Sequence, residues 1–172
     1  MDERETLDWA AFGSAARELA QAVVDDGYRP DIVLSIARGG LAVAGALSYA
    51  LAVKSCFVLN VEYYTGIDER LDSPVVLPPI LNLDEAKGAR VLIADDVADT
   101  GHTLALVEDL CREKVAETRI AVLYAKPRSI VDCDYVWRRT QRWIEFPWSC
   151  EPALVDKPVR WAPAATAVPP KT

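Results

Sequence analysis

Apolar residues at Trp9, Phe12, Ala16, Leu19, Ala20 and Val23 recur at three- and four-residue steps, which predicts a helix with one buried face. Thr6 stands where an N-cap belongs, and Gly27 where a helix-ending glycine belongs. The period then changes. Residues 32–36 form a short, mostly apolar run that predicts a buried strand, followed by the tight loop Ala37-Arg38-Gly39-Gly40. Residues 41–53 are small, apolar and alanine-rich, suiting a helix packed closely on a sheet, and 56–61 predict a second strand. From 62 to 88 the pattern breaks at Gly66, Pro74, Pro78 and Pro79, leaving mostly loop with one short strand at 75–77. A loop that long inside a compact domain is usually functional or disordered.

Regularity returns with a strand over 91–94, a helix over 103–114 with Leu104, Val107, Leu110 and Cys111 facing inward, and a strand over 119–124. Strands alternating with helices predict an α/β fold, a mainly parallel sheet flanked by helices on both faces. Beyond Lys126 the alternation stops. Residues 131–137 and 142–146 read as short strands of a small C-terminal hood spanning about 126–150. The stretch 151–172 carries Pro152, Pro158, Pro163, Pro169 and Pro170 among many alanines and predicts an irregular arm. The expected organisation is one domain over 1–150 with a tail over 151–172.

Composition narrows the function classes. At 172 residues, 51% hydrophobic and 26% charged, the chain suits one globular domain with a real core. No apolar run approaches the roughly 18–20 residues of a membrane span. Met1-Asp2-Glu3-Arg4-Glu5 leads into no apolar stretch of a secretory signal. The four cysteines are widely spaced and form no CxxC pair, which argues against a zinc site or a disulfide scaffold and for a reducing cytoplasm. A formal charge of −7 speaks against nucleic acid as a partner, since that needs a basic face. It leaves room for a small anion held by backbone N–H groups at a helix start.

The stretch 91–103 carries the chemistry. A buried strand delivers Asp95 and Asp96 to its C-terminal end, where open α/β sheets place ligands. Ionised carboxylates only accept hydrogen bonds, so a neighbouring pair suits a diol such as the ribose 2′- and 3′-hydroxyls. Asp99-Thr100-Gly101-His102-Thr103 then opens a helix whose free N–H groups and hydroxyls can surround a phosphate. Diol acceptors beside a phosphate nest point to a ribose 5-phosphate. The plain alternative is that these aspartates merely cap the helix and the threonines serve a turn.

Residues 91–104 resemble the donor-binding signature of the type I phosphoribosyltransferases, and the likeness runs from about Pro30 to Trp148. Ala125-Lys126-Pro127 and Trp143-Ile144-Glu145-Phe146-Pro147-Trp148 are most similar to the bacterial xanthine–guanine branch. The resemblance implies transfer of 5-phosphoribosyl from its 1-diphosphate to N9 of a 6-oxopurine, with Mg2+ as cofactor and a homo-oligomeric assembly. It implies that Asp95 and Asp96 bind the ribose hydroxyls, with Asp96 near the metal, and that Thr100, Gly101, His102 and Thr103 hold the 5-phosphate. Arg38 and Gly39 would meet the diphosphate after a cis Ala37–Arg38 peptide. Asp99 would face N7 as the catalytic group, Lys126 the 6-oxo group, Trp143 the ring face, and the Ile144 backbone the C2 edge. A loop beginning at Glu62-Tyr63-Tyr64 would close over the site, although the Ser-Tyr pair of related enzymes is missing. Trp148 suits the core, and Arg128, Arg138, Arg139 and Arg142 a solvated face or steering rim. A transferase for another base, or a regulator that binds the donor without turnover, would share the loop; Asp99, Lys126 and Trp143 together disfavour both.

Overall fold

In this computed structural model residues 4–62, 65–66, 69–70, 75–77 and 85–155 are described. In chain order the elements are β1 (Arg4–Thr6), α1 (Trp9–Asp25), β2 (Ile32–Ala37), α2 (Gly40–Ala50), β3 (Cys56–Glu62), β4 (Thr65–Gly66) and β5 (Glu69–Arg70). There follow β6 (Val75–Leu77), β7 (Arg90–Ala98), α3 (His102–Arg112), β8 (Glu117–Ala125), β9 (Tyr135–Arg139) and β10 (Trp143–Glu145). The apolar runs form the middle of a six-stranded sheet ordered β6-β3-β2-β7-β8-β9. Every neighbouring pair is parallel except β3 with β6 at the edge.

Both faces of this sheet are covered, which is why its strands are continuously apolar rather than alternating. Along β7, Val91 and Ile93 pack with Leu104, Val107 and Cys111 of α3. Leu92 and Ala94 turn the other way, onto Phe12, Leu19 and Val23 of α1 and Val43 and Leu47 of α2. Each of the valine, leucine, isoleucine and phenylalanine side chains among these contributes about 1.5–3 kcal/mol on burial. The strand order reverses between β2 and β7: the chain leaves β2 toward β3 on one side and β7 toward β8 on the other. Loops diverging at such a switch point open a crevice at the carboxyl ends of the strands. Here the two loops are those after Ala37 and after Ala98.

Several details differ from the sequence reading. Asp8, not Thr6, caps α1: its carboxylate accepts the Ala11 N–H at 2.7 Å. Thr6 is taken up by β1, which pairs in parallel with β10 in the register Arg4↔Trp143, Glu5↔Ile144, Thr6↔Glu145. Trp9, placed in the buried face, is 60% exposed because it opens the helix at the rim, against Trp148. Leu110 is likewise half out of the core, on the flank of the stripe formed by Leu104, Val107 and Cys111. Tyr63, Tyr64, most of the expected closing loop and the tail from 156 lie outside the described residues. No helix among the described residues is long and apolar enough to cross a membrane.

Candidate functional site

Two glycines bring α2 down onto β7. A Cβ on Gly40 would lie 2.4 Å from the Ala94 carbonyl oxygen, and one on Gly39 only 2.2–2.5 Å from the Asp96 carboxyl. Any side chain at either position would push the helix start away from the strand. The Ala37–Arg38 peptide before them is cis. Arg38, Gly39, Asp96 and Trp148 line one cavity of about 690 Å³ at the mouth of the crevice.

Asp95 and Asp96 are consecutive on β7, and both are largely buried. The Asp96 N–H donates to Asp95 Oδ1 at 2.9 Å. Burial pushes Asp95 well above the usual carboxylate range, and the Asp96 charge beside it pushes the same way. Burial raises Asp96 too, opposed by hydrogen bonds from the Val97 backbone, the Trp148 indole and the Asp95 carboxyl. Burial and mutual repulsion therefore both work against two free anions side by side. Among the described residues no group of three or more His, Cys, Asp or Glu side chains converges. The pair can give the one or two carboxylates that a protein typically lends a Mg2+ whose other ligands are phosphate and water.

Gly101 precedes α3 in the left-handed region, at φ 83°, which favours glycine. A Cβ there would meet Ser129 Oγ at 2.7 Å and Val131 N at 3.0 Å, because the β8–β9 connection folds over this loop. No side chain caps α3. Its first N–H groups, with His102 exposed and Thr103 half-buried beside Thr100, thus face outward at a helix start suited to an anion.

A second cavity, of about 320 Å³, lies under the hood. Asp99, Lys126, Trp143 and Ile144 line it together, so the four residues expected at the base do meet. Lys126 Nζ stands 3.4 Å from Asp99 Oδ1 and 5.6 Å from the centre of the Trp143 ring. The lysine is 11% exposed, whereas Trp143 is open to solvent. Leu7 N–H donates to the Glu145 carbonyl at 2.9 Å. Residues of a parallel strand turn alternately toward and away from their partner, so the Ile144 backbone faces away from β1.

Four side chains join the site that the sequence reading left out or placed elsewhere. Arg128 grips Asp99, with Nε donating to Oδ1 at 2.9 Å and Nη2 reaching both oxygens. Burial would raise Asp99, but the Arg128 hydrogen bonds and the Lys126 and Arg128 charges outweigh it and hold the carboxyl below its usual range. Arg4 and Glu145 line this second cavity and bond each other at 2.6 Å. Trp148 is core-packed as expected, stacked on Phe146 at 5.0 Å, yet its indole also reaches Asp96. The tripeptide Arg4-Glu5-Thr6 offers no apolar pattern that announces a strand.

The phosphoribosyl transferase domain family matches residues 4–153. A xanthine-guanine phosphoribosyltransferase of Nitratidesulfovibrio vulgaris is 33% identical over 147 residues, covering 84% of this chain and 84% of that protein. The crystal structure of a purine phosphoribosyltransferase from Pyrococcus horikoshii superposes with a TM-score of 0.77 at 38% identity, over 91% of this chain and all of that one (100%). A xanthine-guanine-hypoxanthine phosphoribosyltransferase of Helicobacter pylori shares the fold, with a TM-score of 0.69 at 19% identity over 85% of this chain and 93% of that one. A crevice at the strand-order reversal, an uncapped helix start behind two buried aspartates and a match across nearly the whole chain lead to one conclusion: the protein belongs to the phosphoribosyltransferase family and is an enzyme of that kind.

Proposed function

We propose that the protein transfers 5-phosphoribosyl from its 1-diphosphate to N9 of a 6-oxopurine (guanine, xanthine or hypoxanthine), in purine salvage. The observation that carries this is the convergence of Asp99, Lys126, Trp143 and Ile144 on one cavity beside the α3 start. In this reading Thr100, Gly101, His102 and Thr103 hold the 5-phosphate. Asp95 and Asp96 take the ribose hydroxyls, and Arg38 with the Gly39 backbone faces the diphosphate. Asp96 would hold Mg2+, which when bound neutralises the diphosphate and orients the donor. Trp143 stacks on the base, Lys126 donates to O6 and the Ile144 backbone meets the C2 edge. As the C1′–O bond breaks and C1′–N9 forms, positive charge grows on the imidazole ring, and Asp99 accepts the N7 proton. Catalysis is then mostly positioning plus electrostatic stabilisation. The four cysteines are all free thiols, which fits a reducing cytoplasm. Exposed Leu41, Tyr49, Phe57 and Val58 on α2 and β3 fit a homo-oligomer.

Diphosphate release measured with guanine, xanthine, hypoxanthine, adenine, orotate and uracil tests the choice of base. An ammonium group only donates, so the amino group of adenine gives Lys126 no acceptor on the base. Discrimination of that kind can reach about 10⁴–10⁵-fold. Lys126→Met should cut guanine turnover steeply and narrow the gap to adenine, whereas Trp143→Leu should weaken every base accepted. A wild-type preference for adenine, or full guanine activity in Lys126→Met, sinks the assignment.

A further inference from the structure

Arg128 does not line the base cavity, yet it acts on the cavity wall. It sits in the tight turn after β8, where Ser129 N–H donates to the Lys126 carbonyl at 3.0 Å and Ile130 N–H to the Thr100 carbonyl at 2.9 Å. The second bond ties this turn to the loop after β7 and sets Asp99 opposite Arg128. The guanidinium is a rigid plane of donors, and a fork on a carboxylate fixes the plane of the carboxylate as well as its charge. Lys126 reaches the same Oδ1 from within the cavity lining.

We propose that Arg128 is a positioning residue for the transfer: from outside the cavity it holds the Asp99 carboxylate ionised and in one orientation, leaving its remaining lone pairs for the purine N7–H. This rests on the role given to Asp99 above. A carboxylate has about two acceptor directions on each oxygen. Nε, Nη2 and Lys126 crowd onto Oδ1, whereas among the described residues Oδ2 meets only Nη2 and keeps a direction for N7–H. The other charged groups nearby do not substitute for Arg128. Arg4 and Glu145, across the cavity, are paired with each other, and Asp95 and Asp96 lie back along β7. His102 opens α3 on the exposed side. Asp99 is 41% exposed and Arg128 61%, so the pair adds little to stability. Its effect falls on the charge and aim of one carboxylate.

The reaction makes that effect measurable. When N9 attacks, the proton on N7 passes to Asp99 and the diphosphate leaves with the electrons of the C1′–O bond. The acceptor must therefore be ionised before each turnover. Removing Arg128 lets Asp99 rise, and the acid limb of kcat/KM should move up by about one pH unit, the lower end of what a close opposite charge does. The donor's own phosphate titration is common to all variants and cancels in the comparison. Arg128→Lys keeps the charge but loses the fork, so it should restore the limb and leave plateau turnover low. The Asp99 carboxyl ¹³C resonance, identified by its loss in Asp99→Asn, should titrate higher in Arg128→Ala at unchanged Tm. An unshifted limb and resonance in Arg128→Ala, or an equal loss at every pH that Arg128→Lys leaves unrepaired, overturns the role of Arg128. Near wild-type turnover in Asp99→Asn instead removes the underlying reading of Asp99, whatever Arg128 variants do.

Discussion

Asp95 is a carboxyl group that folding places under the end of the sheet, where burial and then the Asp96 charge push it far up. In the unfolded chain the same group ionises near its ordinary value of about 3.9. Between those two points the folded state binds the extra proton, so stability declines as pH rises through the window. Asp95→Asn cannot ionise and keeps a donor toward Asp96. It should raise Tm at pH 8, by about 2–4 °C for each kcal/mol relieved, with the gain shrinking as the pH is lowered toward 4. Calorimetry with phosphoribosyl diphosphate should show donor binding weakened in the same variant. A gain in Tm that is the same at both pH values contradicts the buried-proton account. Asp95 and Asp96 were legible because two carboxylates directly after an apolar strand have little structural reason to be there. Arg128 was not. Its partner lies 29 positions away, and only the fold of the turn after β8 brings them together.

The length of β7 carries a similar lesson at the scale of elements. Its apolar run stops at Ala94, yet the ladder continues through Asp95↔Val122, Val97↔Tyr124 and Ala98↔Ala125. Hydrophobic pattern reports burial, whereas the ladder is backbone, so Asp95 and Asp96 stand on the strand itself rather than beyond it. The strand β1 was illegible for the opposite reason: three residues have no period, and they are a strand only because β10 lies alongside. This pairing puts Arg4 and Glu145 in the wall of the cavity that Lys126 and Trp143 also line. Arg4 is 62% exposed in its side chain, so Arg4→Ala should barely move Tm. A truncation that removes residues 1–6 should raise the KM for guanine about tenfold, near the lower end for a hydrogen bond involving a charged group. Calorimetric donor affinity should stay as it was. A truncated enzyme with unchanged KM for the base would show that β1 only closes the edge of the hood.

Across the whole molecule, alternation of strand and helix was enough to announce a parallel sheet, but the order of its strands was not written in any segment. That order sets β2 and β7 side by side and so makes one crevice of loops more than fifty residues apart in sequence, those at Arg38 and at Asp99. The clasp of β1 on β10 has its consequence in time. Arg4 and Glu145 are separated by 141 positions, and the strands that join them are three residues each. Closing so long a loop for so few bonds is costly, and a unit held this lightly opens well below the free energy of global unfolding. Amide exchange at Leu7 should accordingly outrun that of Leu92, Ile93 and Ala94, and equal protection of the two would show a single cooperative unit. During synthesis the same arithmetic applies: the loops after β2 and β7 are complete in the chain before β10 is made, so the crevice at the strand-order reversal precedes the clasp of β1 on β10.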